Sequence, residues 1–105
     1  MTKQQMVNAI KAAEGNAWLE LARHNLENKP IVTTWEQEKA WVEHDTGHTK
    51  LVNQWYGIKM LMDELKITSD FDGAHSEATD INHQIWTREQ NAKGIYYDER
   101  GNRIA

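Results

Sequence analysis

The run from Thr34 to Ile67, TWEQEKAWVEHDTGHTKLVNQWYGIKMLMDELKI, decides how this chain is read. Along it, Trp41, His44, His48, Leu51, Trp55, Ile58, Met62 and Leu65 recur at alternating steps of four and three or of three and four. A seven-residue apolar period held over that distance predicts a helix that packs along one seam. Thr33 with Glu36, or Thr34 with Gln37, supplies a capping box, so the helix should begin near Thr34 and reach about Ile67. Its weak point is Asp45-Thr46-Gly47-His48-Thr49. These poor helix formers cost about 3 kcal/mol together against alanine. The seam keeps its phase through them, which favours a continuous or kinked helix over a break.

Working outward, Thr2 with Gln5 opens a first helix over about residues 2–28, stopped by Pro30. Met6, Ile10, Ala13, Ala17 and Leu21 form its expected apolar face, and Gly15 falls off that face. After a turn at Ser69–Gly73, a third helix spans about residues 76–93, with Gly94 as its C-terminal cap. Its face is Ala78, Ile81, Ile85 and Ala92. Residues 95–104 read as a short β-hairpin or extended tail. The expected fold is all-α, a single domain over 1–105: an elongated antiparallel helical hairpin plus a third helix.

The short connection between the first two helices sets an expected register. Met6 falls opposite Trp55, Ile10 opposite Leu51, and Leu21 opposite Trp41. Met62 and Leu65 then project beyond the first helix, which predicts a homodimer along the seam of Trp41, Leu51, Trp55, Ile58, Met62 and Leu65.

Composition narrows the function classes. The chain has no cysteine, so disulfides, thiolate metal sites and cysteine nucleophiles are excluded. Its serines, Ser69 and Ser76, lie in and beside the polar connection to the third helix, which argues against a serine hydrolase. Net charge is −4, and no segment carries the basic stripe that a phosphate backbone needs; direct nucleic-acid binding is disfavoured. No apolar run suggests a leader or a membrane span, and a cytoplasmic location is expected.

Two constellations carry chemistry. His44-Asp45-Thr46-Gly47-His48 is similar to the zinc-binding HExxH helix, with aspartate where that pattern has glutamate. In the expected register Ala13 and Ala17 face these histidines with Glu14 beside them, so His44, His48 and Glu14 form a candidate site for a divalent metal such as zinc, with His24 as another possible third ligand. The second constellation is aromatic. Trp35, Trp86, Tyr96 and Tyr97 lie off the main seams and suit partner binding, or the docking of the tail on the third helix. Thr68-x-Asp70-x-Asp72-Gly73 fails as a calcium loop, because its twelfth position is Thr79 rather than glutamate. With no recognisable nucleophile, phosphate loop or acid–base pair, the expected function is non-enzymatic. The chain reads as a small adaptor or inhibitor of a larger protein, of the kind carried by phages and mobile elements. The alternative is a small metal-binding helical protein.

Overall fold

The computed structural model describes residues 1–70 and 73–105. Phe71 and Asp72, within the turn and the calcium-like pattern read from the sequence, lie outside the described residues. The chain forms α1 (Lys3–Asn28), α2 (Trp35–His44), α3 (Thr46–Leu65) and α4 (Ala74–Ala92). It is all-α. Both expected capping boxes are present: Thr2 with Gln5 opens α1, and Thr34 with Gln37 opens α2.

The long second helix is broken where its poor helix formers lie. Asp45 leaves helical geometry at φ −90° and ψ 102°, closes α2 and caps α3 by accepting the His48 backbone N–H. A side-chain acceptor there satisfies an N–H that a break would orphan, so the break is stable and not merely weak helix. Gly47 has a tertiary reason as well. A Cβ on it would stand 2.7 Å from His24 Cε1 and 3.1 Å from His24 Nε2. Gly47→Ala should therefore lower stability by about 1–2 kcal/mol through steric displacement, although alanine is the better helix former by about 1 kcal/mol. In a His24→Ala background the same substitution should become neutral or stabilising. Urea unfolding of the double-mutant set would measure that coupling.

The break changes the register. Trp55 meets Trp18, with ring centroids 4.8 Å apart, and donates to Glu14 rather than lying beside Met6. His48 reaches Asn25, and Asp45 reaches His24. The seam has thus slid about two to three helical turns along α1 relative to a tight hairpin. The expectation that Met62 projects past α1 is corrected: Met62 is fully buried. Leu65 alone of that pair stays half-exposed. Most of the seam is spent inside one chain, so it no longer argues for a second.

On the other side of α1, α4 packs in parallel through small residues. Leu19 and Ala22 form the core with Ala78 and Ile81, flanked by Trp18, Leu26, Ala74 and Ile85. Gly15 belongs to this contact, since a Cβ there would touch Ala74 and His75 at 3.5 Å. The expected α4 face holds at Ala78, Ile81 and Ile85, while Ala92 is exposed. For α1 the expected face holds at Leu21 and in part at Ile10 and Ala17, and is corrected elsewhere: Met6 and Ala13 are exposed, and Glu14, Gly15, Leu19 and Ala22 are buried. A helix contacted on two sides has no single apolar stripe to read.

The result is a row rather than a closed bundle. α3 and α4 both pack on α1, but their backbones do not approach one another within 8 Å; the backbone of α2 approaches only that of α3, while its Trp41 side chain reaches His24 of α1. The molecule measures 52 × 34 × 21 Å, with a radius of gyration of 16.3 Å. A compact chain of this length would have about 13 Å. Its accessible surface is 7429 Å². That is about a fifth more than the roughly 6,100 Å² usual for a monomer of this mass.

The C-terminal hairpin is also corrected. No strand forms among the described residues, and a single antiparallel bridge joins Tyr97 and Arg103. The segment folds back at Asp98, whose Oδ1 accepts from the backbone N–H groups of Arg100 and Asn102. Gly101, at φ 83°, completes the turn. Backbone bonds flank the bridge, from Asp98 to Asn102 and between Tyr96 and residues 104–105, but the segments are too short to form strands.

Candidate functional site

The residues singled out from the sequence fall into three places. Glu14 is at the centre of one. It is 2% exposed and accepts from Trp55 Nε1 and Ser69 Oγ, both at 3.2 Å, and from His75 Nε2. One carboxyl group thereby ties α1 to α3, to the connecting segment and to α4. Beside it, Asn8, Lys11, Asn16, Asp70 and His75 line an open cleft of about 330 Å³. Nothing in the sequence placed His75 or Ser69 with Glu14, because they are more than 50 residues away and on no shared period.

The second place is the α2–α3 junction. His24 Nε2 bonds Asp45 Oδ1 at 2.9 Å, and His48 Nδ1 bonds Asn25 Oδ1 at 2.9 Å. Trp41 lies against both rings, with centroids 6.2 Å from His24 and 5.8 Å from His48. His44 is on the far side of the break and exposed. The candidate metal set is therefore not brought together. The break removes His44 from the turn it would share with His48, and the register shift carries Glu14 to Trp55 and His75. Among the described residues, no group of three His, Asp or Glu side chains is arranged to hold a metal ion.

Acidity acts on this junction in two windows. Burial, the largest influence, holds the His48 imidazole below its ordinary 6.5, and the opposing pull of the Asp45 charge does not restore it. The unfolded chain then binds the proton more readily, so stability contributed here is complete above about 6.5 and is lost as pH falls through the lower folded value. Asp45 is held below its ordinary 3.8, chiefly by the His48 backbone N–H, with His24 adding to this. Its contribution is present above 3.8 and is lost as pH falls further. Stability measured against pH should show both limbs, with His48→Gln removing the upper one and Asp45→Asn flattening the lower.

The third place is aromatic. Trp86 stacks on His83 at 5.6 Å and meets Tyr97 at 5.0 Å, which docks the C-terminal turn on α4. The docking role expected for Trp86 and Tyr97 is thus present, yet Trp86 remains 42% exposed and Tyr96 46%. Trp86 also walls two clefts. One, of about 340 Å³, lies between α1, α2 and α4; there Lys29 Nζ bonds Glu38 at 2.7 Å and Glu89 at 3.1 Å. Burial works against that ammonium, but the two carboxylates outweigh it and hold its pKa above 10.5. The other, of about 410 Å³, lies between α4 and the turn. Trp35, at the start of α2, is 72% exposed and joins neither cleft.

α2 is the least supported element. It contains no buried residue, and Ile31, Trp35 and Val42 are exposed on and before it. Isolated helices of this length are marginal in water, so its cap, the Trp41 stacking and the Lys29–Glu38 ion pair must hold it. No helix among the described residues is long and apolar enough to cross a membrane. No protein-family model, no curated protein and no solved structure matches this chain.

Proposed function

We propose that the chain is a non-enzymatic binding module, an adaptor or inhibitor, whose working surface is α2 with the adjoining aromatic face around Trp86. The observation that carries this reading is α2 itself: a capped helix with no buried residue and a tryptophan at its start that is 72% exposed. A large aromatic presented this way gains little from its own fold and much from a pocket on another protein. The surplus of about 1,300 Å² over a compact monomer exceeds the roughly 800 Å² that one partner contributes to a standard interface. Glu14 and His75 support the fold in this reading, since the carboxyl group is spent on three donors inside the protein.

A photo-crosslinking residue placed at Trp35 or Tyr96, and at the exposed Glu20 of α1 as a control, tests the reading in the host cell. Adducts of one defined mass from positions 35 and 96, absent from position 20, are expected. Their mass also identifies a second copy of this chain if that is the partner. Uniform or absent adducts at all three positions would overturn the proposal.

A further inference from the structure

We infer that the notch between α4 and the C-terminal turn receives a basic side chain, a guanidinium or ammonium group, from a protein partner; this rests on the reading of the Trp86 face as a binding surface. The notch has two unlike linings. His83, Trp86 and Tyr97 supply its aromatic lining, and Asp98, Glu99 and Arg100 of the turn supply its charged lining. Aromatic faces are electron-rich, so a cation placed against them is attracted and an anion repelled. Two carboxylates against one guanidinium give the turn the same preference. Asp98 spends Oδ1 on the backbone of its own turn, and Glu99 forms no ion pair among the described residues. The molecule shows the arrangement once already. In the neighbouring cleft, which Trp86 also lines, its own Lys29 is paired with two carboxylates.

The test uses the full chain, isotope-labelled, and small peptides: acetyl-Gly-Arg-Gly-amide, its lysine counterpart, and an uncharged citrulline counterpart as control. Spectral shifts are followed at low salt at the Trp86 indole and the residue 98–101 amides. The arginine and lysine peptides should move those signals saturably, and the citrulline peptide should bind at least about threefold more weakly, as expected for an exposed cation–π contact reinforced by charge. Glu99→Gln should weaken arginine-peptide binding, and Arg100→Gln should strengthen it, each by about threefold. Opposite signs from neighbouring exposed positions cannot come from a loss of folding. Equal binding of arginine and citrulline, shifts elsewhere in the protein only, or the same sign for both variants would overturn the inference. The peptides need no native partner and the crosslinks need no basic side chain, so each proposal can fail without the other.

Discussion

Glu14→Ala is expected to lower unfolding stability by about 3–5 kcal/mol, a large share of the roughly 5–15 kcal/mol typical of a folded domain. The substitution strands three donors on three different segments: the Trp55 indole, the Ser69 hydroxyl and the His75 imidazole. Leaving buried donors unsatisfied costs far more than the net value of the bonds themselves. Glu14→Gln separates the causes, because an amide keeps the volume and one acceptor oxygen while turning a donor toward a neighbour that also donates. Its cost should fall between that of alanine and zero. A Glu14→Ala protein within about 1 kcal/mol of the parent in urea unfolding would show that this carboxyl group does not join the helices.

Met62→Ala should cost about 2–5 kcal/mol, since removing a fully buried thioether leaves a cavity that the surrounding structure closes only in part. Leu65→Ala, one turn further along the same period but half-exposed, should cost less than about 1 kcal/mol. The contrast measures where the seam stops being internal. Sedimentation adds the remaining arm: a Leu65→Ala cost that grows with protein concentration would show a second chain covering that end. Equal effects at the two positions, independent of concentration, would contradict the register described for α3 on α1.

Helix boundaries were legible because their causes are local. Thr2 with Gln5 and Thr34 with Gln37 are reciprocal caps between residues three apart, and they form as read. The poor helix formers at 45–49 marked the right place, but the survival of the seven-residue phase argued for continuity there. That argument failed because Asp45 can cap a new helix without disturbing the phase. A break whose new N-terminus is capped by a side chain can leave the periodicity intact. Gly15 was read as lying off the apolar face and is instead a contact surface for Ala74 and His75. Propensity cannot report such a gain, since it depends on a segment about 60 residues away.

The candidate site divides in the same way. Of the aromatic residues, Trp86 and Tyr97 converge, because a short tail after α4 can fold back only onto the helix it leaves. His44, His48 and Glu14 are not brought together, since pairing Glu14 with the histidines required a register that sequence supplied only by assuming a tight hairpin. By itself the sequence determined the all-α class, the starts of α1 and α2 and most of the α4 face, all consequences of contacts within a few residues. Only the tertiary structure decided that α3 slides along α1, that α1 serves two neighbours, and that Glu14 rather than the histidine pair is the polar centre. Those outcomes turn on how a buried carboxyl group finds its donors and how small residues let backbones approach, which depend on segments distant in the chain.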